Sequence, residues 1–196
     1  MQFLLFCPRF ASPEDATSLA SLLDRVDVAA LVLLRDDAET EDAYAARIRP
    51  LIDTVQSRDC AALLDGLPGL VKPLGADGVH MTSGQRGFTD AIATLKPDFI
   101  VGAGDVHSHH EAMLRGEAGA DYLLFGDPRS APSAADIADA EWWAETFEID
   151  AAIVADPEDP EPAMATGAEF IAFGPALWEL PDPDRLLVAL HKKASK

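Results

Sequence analysis

The sequence predicts an α/β protein, a single (β/α)8 TIM barrel spanning residues 1–196. Three observations carry this. Short apolar runs alternate with helical patterns about eight times along the chain. A triplet recurs before three of the strands, as Gly75-Ala76-Asp77, Gly119-Ala120-Asp121 and Gly167-Ala168-Glu169, with separations of 44 and 48 residues, about two βα units each. Several apolar runs also end in a carboxylate or an imidazole, where such folds keep their chemistry. A doubly wound open sheet is the competing architecture. No GxGxxG follows the first strand, however, and Gly102-Ala103-Gly104 runs on into Asp105.

Taken in order, Phe3–Phe6 reads as a strand stopped by Pro8. Ser12 is placed to cap a helix reaching about Arg25, with Pro13 in its first turn and Glu14 and Asp15 suiting its dipole. Val28–Leu34 is a continuous apolar run, as expected of a strand buried on both faces. Thr40 caps a helix over Glu41–Ser57, which Pro50 should kink or break. Cys60–Leu64 is the third strand, and Pro68–Leu74 is poor in helix signal. Gly78–Met81 is a strand and Phe88–Leu95 a helix. Phe99–Val101, Ser108–Glu117 and Tyr122–Phe125 form a βαβ unit. Ser133 caps a helix to Phe147, Ala151–Ala155 is a strand, and Pro162–Thr166 is a short helix. Phe170–Phe173 is the last strand, and Asp182 caps the last helix, Pro183–Ala194. The triplet glycines sit where a helix end needs positive φ.

Acidic residues outnumber basic ones 34 to 15, for a formal net charge of -19. Such a surface repels nucleic acid and anionic membrane and suits a soluble cytoplasmic protein. No apolar run approaches the roughly 20 residues that span a bilayer. The N-terminal run lacks the basic flank and cleavage site of a signal peptide. Cys7 and Cys60 form no disulfide framework and read as small core residues.

The strand ends supply the candidate site. They bring Arg35, Asp65, His80, Asp105, His107, Asp127, Arg129, Asp156 and Gly174 towards one mouth. Clustered carboxylates there could bind a cation or raise one another's pKa. Each aspartate could instead cap the helix that follows it. His107 is the acid–base candidate, because imidazole titrates near neutrality. His80 competes as a buried, hydrogen-bonded histidine. His109 and His110 are successive helical positions and point apart, so no shared metal is expected, and no zinc spacing exists. The tryptophans should pack helices against the sheet, and Ala- and Trp-rich helix faces would suit a homodimer.

Gly75-Ala76-Asp77-Gly78-Val79-His80-Met81 is similar to the GADGVHL string of the thiamine phosphate synthases and their relatives, the TenI-like thiazole tautomerases. The likeness continues through Asp105-Val106-His107-Ser108 with Glu111-Ala112, through Gly119–Tyr122 with Phe125-Gly126, and to Gly167–Phe170. It covers roughly residues 28–180 and implies the same barrel. Departures fall at the ligand loops. Arg35 matches the family's arginine, but the neighbouring glutamine and lysine are absent. Asp65-Gly66 replaces a magnesium-binding Asn-Asp pair, and Gln85 aligns with the second magnesium aspartate. Asp105 replaces a serine, and Asp127–Pro132 replaces a threonine-lysine diphosphate loop. Asp156 falls near a glycine pair, and Gly174-Pro175 replaces the last phosphate loop.

The resemblance therefore implies a protein of thiamine biosynthesis acting on, or binding, a small heteroaromatic ligand of thiazole type. His107 is its acid–base group, beside Asp105. Arg35, Asp65, His80, Asp127, Arg129, Asp156 and Gly174 are its ligand-binding residues. No cofactor follows, and Mg2+ enters only if the chain is an active synthase joining a pyrimidine diphosphate to a thiazole phosphate. A non-catalytic binder of a cationic ligand or metal is the remaining alternative.

Overall fold

The computed structural model describes residues 1–8 and 13–194. The expected cap at Ser12 and the side chains of Glu14 and Asp15 lie outside the described residues. The strands are β1 (Gln2–Cys7), β2 (Val28–Leu33), β3 (Ala61–Asp65), β4 (Gly78–Met81), β5 (Ile100–Ala103), β6 (Tyr122–Phe125), β7 (Asp150–Val154) and β8 (Phe170–Phe173). They pair in chain order, all parallel, and β1 closes on β8 with Leu5 beside Phe173. The predicted TIM barrel is the observed architecture. The helices are α1 (Pro13–Leu23), α2 (Glu41–Gln56), α3 (Val71–Leu74), α4 (Gln85–Leu95), α5 (His109–Ala118), α6 (Ala134–Thr146), α7 (Glu161–Met164) and α8 (Pro183–Ala194).

Alternation along each strand divides the buried residues into two cores. Leu4, Phe6, Val32, Leu63, Tyr122, Leu124, Ala152, Val154 and Ala172 fill the barrel interior. Their neighbours, such as Leu5, Leu31, Leu64, Val101 and Ile153, face outward against the helices. Cys7 and Cys60 are buried and share no disulfide, and burial pushes the Cys60 thiol up to about 12. No helix among the described residues is long and apolar enough to cross a membrane.

Two local readings need correction. The helix α2 runs through Pro50 unbroken. Pro50 and Ala46, whose carbonyl loses its intrahelical donor, are both exposed, so water can satisfy that carbonyl. The Pro68–Leu74 stretch forms a 3-10 turn, Pro68–Leu70, running into α3. Proline begins the turn and Gly75, at φ 71°, ends the helix, which compensates for weak helix propensity between them.

The recurring triplets have a role beyond their glycines. Asp77 accepts from the Ala62 N–H at 2.7 Å, Asp121 from Val101 at 2.7 Å and Glu169 from Ala151 at 2.8 Å. Each acid thus ties the start of an even strand to the odd strand before it, at the end of the barrel away from the mouth. That accounts for an acidic third residue in every copy. Charge-assisted bonds of this kind are the stronger ones.

Candidate functional site

A cavity of about 520 Å³ opens at the C-terminal mouth of the barrel. Phe6, Leu34 and Leu124 give it apolar floor surface, and His80 and Thr82 close one side. Asp105, Val106 and His107 enter from the loop after β5. The Gly126–Ala131 segment after β6 forms the opposite wall. A smaller groove of about 360 Å³ adjoins it, lined by Arg35, Asp36, Asp37 and Pro175, with Leu34 and Arg129 shared between the two. The structure therefore brings Asp65, His80, Asp105, His107, Asp127 and Arg129 to one cavity and Arg35 to its neighbour. It does not bring Asp156 or Gly174 there.

Both exceptions have a physical reason. The Asp156 carboxylate folds back to accept from the Glu158 N–H at 2.9 Å, a local turn. The Pro128 carbonyl sits directly over Gly174, where a Cβ would have stood. The last loop is covered by the loop after β6.

Asp105 and His107 are set by backbone geometry. Asp105 has φ 56°, a left-handed conformation that costs a non-glycine residue roughly 1–2 kcal/mol. Ser108 then starts α5, its hydroxyl accepting from the Glu111 N–H at 3.2 Å, and Glu111 accepts from the His107 N–H at 2.9 Å. Between these anchors the His107 Nε2 lies 2.7 Å from an Asp105 carboxylate oxygen. Both side chains are exposed to the mouth, 74% and 52% respectively.

The other carboxylates also hold local structure. Asp127 accepts from the Arg129 N–H at 2.9 Å. Asp136 makes a capping box with Ser133. Asp65 accepts from the Arg35 N–H at 3.0 Å, and its own N–H donates to the Tyr44 hydroxyl at 3.0 Å. Among the described residues no three His, Cys, Asp or Glu side chains gather as a metal site.

Burial pushes the Asp65 carboxyl above its ordinary value, against the pull of the Arg35 N–H and the Arg129 and Arg35 charges. A raised folded-state pKa favours the folded protein at low pH, and that contribution is lost as pH rises through the folded value. Asp65→Asn keeps an acceptor for Arg35 and removes the buried charge. It is expected to raise the Tm at pH 7, with the gain vanishing by about pH 4. Thermal melts across that range check this; an asparagine variant less stable at every pH would contradict it.

His80 is the deepest polar group. It is 1% exposed, and its Nδ1 lies 2.8 Å from the Tyr122 hydroxyl. Burial lowers its pKa to about 4, so the ring is neutral near pH 7. Sequence reasoning places His80 at a strand end but misses Tyr122, 42 residues away. The signal is Gly102, which stands between them in register and has no side chain because the Tyr122 ring fills that space. Arg115 is missed too: buried in α5, it donates to the Ser83 carbonyl at 2.7 Å and ties the loop after β4 to this corner.

Comparison with known proteins adds to this geometry. The family model described as "Thiamine monophosphate synthase" matches residues 7–177. The chain is similar to a thiamine-phosphate synthase of Rhodospirillum centenum, 33% identical over 186 residues, covering 91% of this chain and 89% of that protein. It is also 33% identical over 145 residues to a thiamine-phosphate synthase of Erythrobacter litoralis, covering 68% of each. Among solved structures it resembles a thiamine phosphate pyrophosphorylase from Pyrococcus furiosus, with a TM-score of 0.78 and 19% identity, over 97% of this chain and 93% of that one. At that identity the last likeness bears on the fold.

Proposed function

The chain belongs to the thiamine monophosphate synthase family, and from that premise we propose that it moves a proton on a small heteroaromatic ligand of thiazole type held in the barrel mouth. The observation that carries this is the His107–Asp105 pair, 2.7 Å apart at the cavity edge. With Nε2–H given to Asp105, the Nδ1 lone pair is free to accept a proton. His107 takes a proton from one position of the conjugated ring and returns it at another, while Asp105 stabilises the imidazolium in between. The net reaction is an isomerisation. It needs neither diphosphate release nor a metal, which suits a cavity lined by Asp65, Asp105, Asp127 and Asp136 with Arg129 as its cation among the described residues. Arg129 and Arg35 face the adjoining groove and would receive an acidic substituent. Asp156 and Gly174 have no part in this reading.

The synthase reaction is the second reading, favoured by the relatives' names and their 33% identity. One pair of assays separates the two. Incubation with a thiazole carboxylate phosphate tautomer is expected to yield its aromatic isomer, with solvent deuterium incorporated. Incubation with a pyrimidine diphosphate and a thiazole phosphate is expected to release no diphosphate above background. Diphosphate release without isomerisation would replace the first reading with the second.

A further inference from the structure

His80 Nε2 is buried without a hydrogen-bond partner, although the His80 ring forms part of the cavity wall. Its neighbours show where it points. A Cβ on Gly104 would lie 2.5 Å from Nε2 and 3.4 Å from the Thr82 methyl. Gly104 and Thr82 follow the last residues of β5 and β4, so Nε2 lies at the mouth end of the barrel, against Gly104, while Nδ1 meets Tyr122.

Hydrogen-bond accounting selects the tautomer. If Tyr122 donates to Nδ1, its O–H is satisfied and one group, Nε2–H, is left over. If Nδ1–H donates to Tyr122 instead, both the tyrosine proton and the Nε2 lone pair go unmet. Each unmet buried group costs about 1–3 kcal/mol, so the first arrangement is preferred. Phe6 meets the His80 ring edge-on at 5.1 Å, and burial, with the nearby Asp121 charge, holds Tyr122 in its protonated form.

We infer that His80, its tautomer locked by Tyr122, is a specificity-determining residue: a neutral Nε2–H donor that selects a ring with a free acceptor nitrogen over the same ring N-alkylated. This rests on the proposed heteroaromatic ligand and adds which form of it is held. An N-alkylated thiazolium has no lone pair to accept this bond and would leave the donor orphaned. Substrate and product of any N-alkylation of the ring are told apart by this one group.

Binding and NMR test it without turnover, so the result stands apart from the proton-transfer assay. In 15N-labelled protein the proton of the assigned His80 ring is expected on Nε2, with Nδ1 unprotonated. Adding 4-methylthiazole should shift the Nε2 signal, and 3,4-dimethylthiazolium should not. Tyr122→Phe keeps the ring that fills the space beside Gly102. It should weaken 4-methylthiazole binding about tenfold, with thiazolium affinity unchanged. A proton on Nδ1, equal Nε2 shifts with both probes, no binding of 4-methylthiazole, or an unchanged affinity ratio in the variant would each overturn the inference. If the variant does not fold, the wild-type spectra decide.

Discussion

His107→Ala is expected to slow proton transfer by roughly 10²- to 10⁴-fold, the usual contribution of a positioned acid–base group. The size follows from its place. Among the described residues, the other imidazole lining the mouth cannot substitute, because His80 is buried and neutral and its Nδ1 is taken by Tyr122. Asp65, Asp127 and Asp136, which also line the cavity, are engaged with backbone donors. Stability should hardly change. The side chain is 74% exposed, and exposed substitutions usually stay within about 0.5 kcal/mol. Ligand affinity should hold as well, because the apolar floor and the His80 side are untouched. Steady-state rates and a melting curve on the same preparation check the three statements together. An unchanged rate would remove His107 from the chemistry; a large loss of Tm would mean that the anchored loop, not proton transfer, was lost.

Gly174→Ala is expected to cost on the order of 3 kcal/mol or more, and to disturb the cavity wall. At φ -83° any residue is allowed, so the cost is purely steric. The added methyl would overlap the Pro128 carbonyl oxygen and carbon. Neither side can yield cheaply. The end of β8 is paired to β1 through Ala172 and Phe173, and the Pro128 loop is fastened by Asp127 to the Arg129 and Ser130 backbone. If the loop lifts, Gly126–Ala131 leaves the cavity and Arg129 moves with it. Urea unfolding reads the stability, and amide shifts from 126 to 131 read the wall. Wild-type behaviour in both would show that the two loops do not press on one another.

Much of this molecule is written in local pattern. Apolar runs and their punctuation place every strand to within two residues, because a strand buried on both faces must be apolar throughout and must end where the chain turns. The caps at Thr40 and Ser133 are legible for the same reason, since the hydroxyl and the amide it satisfies are three residues apart. The positive φ of Gly75, Gly119 and Gly167 is legible as well. The triplet acids are visible in the chain but unexplained by it, because the amides they bind belong to other strands.

The candidate site divides along the same line. That Asp65, Asp105, His107, Asp127 and Asp156 stand at strand ends follows from order in the chain. Which of them reach the cavity does not. Asp156 is spent on its own turn and Gly174 lies under Pro128, contacts decided by how loops from different strands settle on one another. The sequence alone determined the barrel, its triplets and the histidine beside Asp105, because helix caps, strand patterns and turns act over a few residues. The His80–Tyr122 pair, the raised pKa of Asp65 and the extent of the mouth were decided only by the closed tertiary structure. They depend on burial and on partners tens of residues apart, and no local pattern encodes either.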